Sequence, residues 1–149
     1  MKAVIQRVLS ADLKVDGKLI SKINKGLVIF LGVGQGDGES EVEKLGSKIA
    51  KLRIFEDDNG KMNLSINDVQ GEILLVSQFT LYADCKHGNR PSFIDAEKPE
   101  RANELYLEMK DFLLRQGLSV QTGVFGADMK INALNDGPVT ILLDSKELK

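Results

Sequence analysis

The sequence is poor in the residues that build metal centres and nucleophilic triads. Its 149 residues include one cysteine, one histidine and no tryptophan. A zinc site needs three or four ligands, so Cys85 and His87 do not suffice for one. Cys85 cannot form an internal disulfide, which is typical of a reducing compartment. Aromatic residues make up only 5% of the chain, which argues against a broad stacking platform for single-stranded nucleic acid.

Strong charge of one sign and long apolar runs are also absent. The formal net charge is −2, which argues against nucleic-acid binding through overall positive charge. A local basic face remains open, and Lys44, Lys48 and Lys51 of a predicted helix are its best candidates. No apolar segment approaches membrane-spanning length, and polar residues interrupt the N-terminus too early for a signal peptide. We therefore expect a cytoplasmic protein with no membrane partner.

What remains is an ordinary globular composition, with 42% hydrophobic and 28% charged residues. A chain of this length is expected to form one domain over residues 1–149. Alternation in residues 4–8 and 11–15 predicts two short strands, and Asp16-Gly17 predicts a hairpin to a third. The apolar run at 27–31 predicts a buried central strand, so we expect the opening third to be an antiparallel meander.

Two helices are predicted from helical periodicity and from end signals. Ser40 and Glu43 form a Ser-x-x-Glu capping box that begins the first helix. Pro99 begins the second helix, and Gly117 ends it. The apolar faces recur at helical spacing, and they comprise Val42, Leu45, Ile49 and Leu52 in the first helix and Ala102, Leu105, Tyr106, Met109, Phe112 and Leu113 in the second. A second buried strand is predicted between the helices, at residues 71–76.

Two segments have the composition of ligand sites but fail on spacing. Segment 32–38 has glycines between a strand and a helix, yet Asp37 and Glu39 occupy the positions where a dinucleotide fingerprint needs its third glycine. We interpret it as a flexible loop. The acidic segment 57–61 lacks the glycine offset and the terminal glutamate of a calcium loop, so we interpret it as a turn.

A turn-forming segment, Asn135-Asp136-Gly137-Pro138-Val139-Thr140, lies between apolar runs at 129–133 and 139–143. Its first three residues favour a turn, and Pro138 removes a backbone donor where the second run begins. The pattern favours a hairpin turn. The alternative is that Gly137 and Pro138 present rigid, bare backbone to a ligand.

A second polar segment, Ser77-Gln78-Phe79-Thr80-Leu81, directly follows the buried strand at 71–76. Hydroxyls, an amide and backbone donors at a strand end can orient a carbonyl and hold an oxyanion, but none is a strong base. These groups suit an already activated ester, although they can also simply end a strand. A nucleophilic triad would have to use His87, which we interpret as a solvated loop residue, and no feature of the sequence activates the Cys85 thiol.

Together these two segments resemble the D-aminoacyl-tRNA deacylase family, often called the D-tyrosyl-tRNA deacylase family. The resemblance extends across the whole chain, from Met1-Lys2-Ala3-Val4-Ile5-Gln6-Arg7-Val8 through Gly123-Val124-Phe125-Gly126-Ala127-Asp128-Met129. It implies a homodimeric α/β fold with twisted mixed or antiparallel sheets, two main helices and a site at the dimer interface. It also implies that no metal or organic cofactor takes part.

The resemblance assigns roles to residues of both segments. The strand-end residues would line the pocket, with the backbone around Phe79 and Thr80 placing the ester carbonyl and water. Gly137 and Pro138 would form a cis peptide that enters the partner's pocket and excludes L-amino acids by clash. The resulting site prediction is Gln78, Phe79 and Thr80 for catalysis and Ser77, Arg7, Met129, Gly137 and Pro138 for substrate binding.

Arg7 and Met129 have supporting roles in this scheme. Arg7 would support the Gly-Pro loop, and Met129 would form part of the pocket wall. Without the resemblance, the two residues are a surface charge and a core thioether.

The implied function is hydrolysis of the ester that joins a D-amino acid, or mischarged glycine, to the 3′ end of tRNA. The terminal ribose 2′-hydroxyl would assist, which fits the lack of a base. One rival is a small-ester or thioester hydrolase that uses Cys85 and His87. Another is a tRNA- or DNA-binding module without turnover, which would use the face of Lys44, Lys48 and Lys51.

Overall fold

Eight strands and two α-helices make up the fold of residues 1–149, all of which the computed structural model describes. The strands are β1 (Lys2–Val15), β2 (Lys18–Ile23), β3 (Gly26–Gly32), β4 (Phe55–Glu56), β5 (Met62–Leu64), β6 (Glu72–Ser77), β7 (Ser119–Thr122) and β8 (Lys130–Asp144). The helices are α1 (Glu39–Lys51) and α2 (Pro99–Arg115), and a short 3₁₀ helix covers Phe79–Tyr82. Neither α-helix combines the length and the apolarity that a membrane span requires.

The long strand β1 organises the six-stranded sheet. Its first half pairs with β3 and its second half with β2 along one edge, while β8 runs antiparallel along the other edge. Ala3 and Ile5 belong to the larger hydrophobic cluster, whereas Ala11 and Leu13 belong to the smaller one. The prediction of two short strands is wrong, because β1 is one continuous strand. The predicted meander is also wrong, because β1 lies between β2 and β3. The buried side chains change face in the middle of β1, which breaks the alternation without ending the strand.

Strands β3, β6 and β7 form the parallel part of the sheet, so the sheet is mixed. Each parallel pair needs a crossover, and α1 and α2 lie in the two crossovers. The predicted central strand is β3, which buries Val28 in the smaller cluster and Leu27 and Ile29 in the larger. At the far edge, the Lys22 N–H of β2 donates to Gln121 Oε1 of β7 at 2.9 Å, so the sheet curls towards closure.

Helix α1 begins at Glu39, one residue before the predicted start. Gly38 caps the helix, and its N–H donates to Glu41 Oε2 at 2.7 Å. This bond, followed by one from Ser40, lowers the pKa of the Glu41 carboxyl. The predicted pairing of Ser40 with Glu43 is wrong, because Ser40 Oγ donates to Glu41 Oε1 at 2.9 Å instead.

Helix α2 follows its sequence prediction closely. It begins at Pro99, and Gly117 lies just beyond its end with a φ of +82°, a conformation that glycine adopts without strain. The predicted apolar faces of both helices pack into the larger cluster, although Leu52 and Phe112 are only partly buried. The two helices therefore cover one face of the sheet.

Strand β8 continues through residues 135–140, so the predicted hairpin turn is wrong. Four residues of β8, at positions 136–139, lie opposite the single residue Arg7 of β1. The turn-forming residues make a wide bulge rather than a reversal, because β1 pairs with β8 on both sides of it. The Gly137–Pro138 peptide bond lies in this bulge and is cis, as the resemblance implied.

The two segments rejected as ligand sites are connections in the structure. Residues 33–38 link β3 to α1. In the β4–β5 turn, Asp57 Oδ1 accepts hydrogen bonds from the Asn59 and Lys61 N–H groups at 2.9 and 3.0 Å. No three His, Cys, Asp or Glu side chains are grouped so that they could hold a metal ion.

Candidate active site

A cavity of about 630 Å³ opens beside the end of β6. Its volume lies within the range of small-molecule and cofactor sites. Three separate parts of the chain build a largely apolar wall: the end of β6 with the residues that follow it, the segment that leads into α2, and segment 125–131. Of the predicted site residues, the lining includes Ser77, Gln78, Phe79 and Met129.

The polar groups at the end of β6 are held in place by the backbone. Ser77 is the last residue of β6 and lies beside Leu31 of β3. The Gln78 N–H donates to the Leu31 carbonyl at 2.8 Å, and the chain then enters the 3₁₀ helix. The next two N–H groups, those of Phe79 and Thr80, donate to no acceptor within the protein. The end of β6 therefore offers two adjacent free backbone donors, that of Phe79 in the cavity lining and that of Thr80 beside it.

Thr80 lies next to the cavity lining rather than in it. Its Oγ1 accepts a hydrogen bond from Gln78 Nε2. No carboxylate, imidazole or amine contacts the hydroxyl, so nothing in the chain removes its proton. The geometry makes Thr80 part of a fixed polar corner and leaves it without the activating base that a nucleophile needs.

The other candidate acid–base groups are not suited to catalysis at neutral pH. Tyr106 lines the cavity, but its O–H donates to the Leu75 carbonyl at 2.6 Å. Burial is the main cause that raises the pKa of Tyr106 to about 12. Cys85 and His87 are exposed and lie outside the cavity lining, so the rival esterase arrangement finds no support in the geometry.

Met129 lies where the resemblance placed it, in the cavity wall. Its Sδ packs over Gly123, where an added Cβ would lie 2.5 Å from the sulfur and 2.9 Å from Leu13 Cδ1. A side chain at position 123 would therefore displace the Met129 thioether or the Leu13 side chain from its present position.

Gly137 and Pro138 do not line the cavity of their own chain. Both are exposed, in the bulge of β8. Gly137 has a φ of +124°, and an added Cβ would lie 2.9 Å from Val139 Cγ2 and 3.1 Å from Arg7 Nη2. Only glycine fits this position without displacing its neighbours.

Arg7 is the buried support of the bulge. Its side chain is only 6% exposed, and Nε donates to the Asp136 carbonyl at 3.2 Å. Nη1 donates to the Ile54 carbonyl at 2.8 Å, and the Asp136 carboxylate lies 3.4 Å from Nε. The more distant Glu56 carboxylate, at 3.9 Å from Nη2, is the weaker ion pair. Arg7 therefore ties the bulge to the segment that leads into β4.

Sequence reasoning missed much of the cavity wall. The sequence predicts Ala102 and Tyr106 only as core positions of α2, and it predicts no site role for Phe93 or Phe125, although all four line the cavity. One signal was available, because Phe93 and Ile94 are apolar residues in an otherwise polar loop. In the structure Phe93 packs edge-on against Phe79, with ring centroids 5.0 Å apart.

Comparison with known proteins identifies the family of this chain. A family model described as D-Tyr-tRNA(Tyr) deacylase matches residues 4–144. The chain belongs to the D-Tyr-tRNA(Tyr) deacylase family. A Thermosipho melanesiensis protein named D-aminoacyl-tRNA deacylase is 55% identical over 149 residues, which is 99% of each chain. An Aquifex aeolicus protein of the same name is 55% identical over 99% of this chain and 100% of its own.

Membership of the D-Tyr-tRNA(Tyr) deacylase family confirms the predicted enzyme class. The chain is a hydrolase that acts on the ester bond of D-aminoacyl-tRNA. A solved structure named c-Myc DNA Unwinding Element Binding Protein superposes with a TM-score of 0.91 at 42% identity, over 97% of this chain and 98% of its own. Another solved structure, of a probable eukaryotic D-amino acid tRNA deacylase, has a TM-score of 0.79 at 15% identity, over 95% of this chain and 97% of its own. This match shows the shared α/β fold alone.

Proposed function

We propose that residues 1–149 form a single domain that acts in the cytoplasm as a homodimer. It would remove D-amino acids and mischarged glycine from the 3′ end of tRNA, and so proofread chirality in translation. The observation that carries the proposal is the polar corner at the end of β6. Free donors meet a largely apolar cavity there, and no carboxylate, imidazole or amine contacts the Thr80 hydroxyl.

The free N–H groups of Phe79 and Thr80 would bind the ester carbonyl as it becomes an oxyanion. Fixed backbone donors in a water-poor site stabilise such charge strongly, and the loss of one typically costs about 3 kcal/mol. The Gln78 side chain would hold Thr80 in place, and Ser77 would contact the substrate from the strand end. An aminoacyl ester is already activated, so positioning suffices where an amide would require stronger catalysis.

The proton relay would come from the substrate. The terminal ribose carries a 2′-hydroxyl beside the aminoacylated 3′-oxygen, within reach of the attacking water. Its participation would replace a protein base at the end of β6, where none contacts Thr80.

Selectivity for D-residues would come from Gly137 and Pro138 of the partner subunit. The segment is exposed and lies outside its own cavity, while Arg7 fixes it from within. Rigid backbone placed over the α-carbon would collide with an L side chain and spare D-residues and glycine. A filter of this kind does not need to recognise the side chain, so many D-residues would be accepted.

The decisive experiment compares hydrolysis of one tRNA charged with D-tyrosine, L-tyrosine and, separately, glycine. We expect release of D-tyrosine and glycine, with L-tyrosine at the uncatalysed rate. Equal rates on the D and L forms would refute chiral selection. No hydrolysis of any form would refute the proposed function.

Binding of nucleic acid without turnover is the alternative. It is favoured only by the name of one similar structure, which specifies a DNA element. Lys44, Lys48 and Lys51 are exposed on α1 and would supply the surface. Steep salt dependence of binding together with absent hydrolysis would support this alternative.

A further inference from the structure

Lys98 is the only cationic side chain in the cavity lining. The lining contains three charged side chains, those of Glu97, Lys98 and Asp128. The carboxylate of Asp128 is paired with Lys130 Nζ at 3.0 Å. The carboxylate of Glu97 accepts the Lys98 backbone N–H at 2.7 Å. The Lys98 ammonium forms no ion pair and no hydrogen bond, so it is the one cationic group of the lining that is available to an anion.

The backbone holds Lys98 at a defined place on the rim. The Glu97 N–H donates to the Val33 carbonyl at 3.0 Å, which fastens the segment to the end of β3. Lys98 then caps the 17-residue helix α2, and its carbonyl accepts the Ala102 N–H at 2.9 Å. The amino end of a helix carries partial positive charge, which adds to that of the ammonium, while Glu97 and Glu100 reduce it. The Lys98 ammonium is therefore the group at this rim that a single anionic group would contact.

The substrate carries such a group next to the ester. An aminoacyl group is attached to the ribose of the terminal nucleotide, and the 5′-phosphate is attached to the same ribose. An ester held at Ser77 to Phe79 must therefore place its phosphate one nucleoside away. The cavity, at about 630 Å³, has room for a nucleoside in addition to the amino acid.

We propose that Lys98 binds the 5′-phosphate of the terminal nucleotide of aminoacyl-tRNA and thereby positions the 3′ ester at the end of β6. The inference rests on the proposed function, since it assumes that the ester lies at the strand end. Lys98 is a positioning residue in this scheme and takes no part in bond breaking. A point charge on a flexible stem can follow the phosphate as the nucleotide settles.

The test uses two small substrates that differ only in the phosphate. These are the D-tyrosyl ester of adenosine and the D-tyrosyl ester of adenosine 5′-monophosphate. For K98A, we expect kcat/KM on the monophosphate ester to fall roughly three- to tenfold, mainly through KM. Hydrolysis of the adenosine ester should stay within about twofold of wild type, because that ester has no phosphate to lose. K98R should restore the monophosphate activity, because it keeps the charge.

Controls separate this role from a structural one. K61A removes one exposed lysine at the β4–β5 turn, outside the cavity lining, and should change neither activity. On D-tyrosyl-tRNA, K98A should reduce the logarithmic salt slope of kcat/KM by about 0.7, the value for one single-strand phosphate contact. Circular dichroism should show α2 intact, because the Lys98 side chain makes no capping bond.

Equal losses on both small esters would overturn the inference, since the phosphate would then be irrelevant. Unchanged activity of K98A on the monophosphate ester would also overturn it. Both results leave the proposed function standing, provided that the wild-type enzyme hydrolyses D-tyrosyl-tRNA. A wild-type chain that hydrolyses none of the D-esters would overturn the proposed function and the role of Lys98 together.

Discussion

The hydroxyl of Thr80 lies beside the cavity with only Gln78 Nε2 as a partner. We predict that T80V, which keeps the shape and the backbone N–H, lowers kcat on D-tyrosyl-tRNA by no more than about tenfold. Loss of a covalent nucleophile would instead lower kcat by about 10³-fold or more. Single-turnover kinetics distinguish the two cases, and a loss of the larger size would show that Thr80 attacks the ester.

Arg7 connects the Gly-Pro bulge to the rest of the fold. R7M keeps the long stem but leaves the carbonyls of Asp136 and Ile54 without their donor. We expect the free energy of unfolding to fall by about 2–4 kcal/mol. We also expect the ratio of D- to L-tyrosyl-tRNA hydrolysis to fall, because the bulge is no longer held. Denaturant unfolding and the two hydrolysis assays measure the two effects.

The matched control for R7M is R101M. Arg101 forms an exposed ion pair with Glu104 on α2, and such pairs contribute about 0.5 kcal/mol. If R7M were no more destabilising than R101M, the buried contacts of Arg7 would not support the bulge.

The chemistry of individual site residues was more predictable than their grouping. The lack of a histidine or cysteine base at the site is visible in the sequence, since the chain has one histidine, in a loop, and one cysteine. Ser77 to Phe79 could be assigned to a strand end from the apolar run before them. The free N–H groups of Phe79 and Thr80 could not be predicted, because they depend on the 3₁₀ helix that follows. Lys98 gave no signal, because its position depends on the hydrogen bond between its neighbour Glu97 and the distant Val33.

Helices α1 and α2 approach each other closely at Gly46, where there is no room for a larger side chain. A Cβ added to Gly46 would lie 2.5 Å from Phe112 Cδ1 and 3.2 Å from Met109 Sδ. Alanine would gain about 1 kcal/mol in helix propensity, but overpacking typically costs 1–3 kcal/mol. We therefore predict that G46A lowers the free energy of unfolding by about 1 kcal/mol, as measured by urea denaturation.

A double substitution tests whether Phe112 is the cause. Because the ring is only partly buried, F112L should free space for the new methyl group at moderate cost. The combined variant G46A/F112L should be more stable than the sum of the single effects predicts, by about 0.5 kcal/mol or more. If the effects of G46A and F112L on the free energy of unfolding were additive, the contact with Phe112 would not be the cause of the destabilisation by G46A.

Elements with strong local signals were predicted well, and those that depend on pairing were not. Helix α2 has a proline at its first turn, a glycine beyond its end and a long apolar face, all of which are local. The bulge of β8 has the same local residues as a hairpin turn. What decides between them is that β1 extends along both sides of the bulge, and a six-residue segment carries no information about its distant partner.

The placement of the Gly-Pro bulge outside its own cavity bears on the assembly of the whole molecule. If each bulge acts in the partner's cavity, a defective bulge and a defective cavity on different protomers should complement each other. P138A changes the exposed bulge and should weaken rejection of L-tyrosyl-tRNA with little effect on unfolding. A127W places a large ring in the cavity wall and should abolish hydrolysis.

Mixing the two variants after denaturation and refolding tests the shared site. Random pairing makes about half of the dimers mixed, and each mixed dimer has one site with both an intact cavity and an intact bulge. Stringently D-selective hydrolysis should then return to about a quarter of the wild-type rate, above the relaxed activity of P138A. Sedimentation of the wild type should show a dimer. If the hydrolysis rates of the mixture were only the averages of those of the two variants, the bulge would not act in the partner's cavity. Because Gly137 and Pro138 do not line their own cavity, selection of D-residues would then need a different filter.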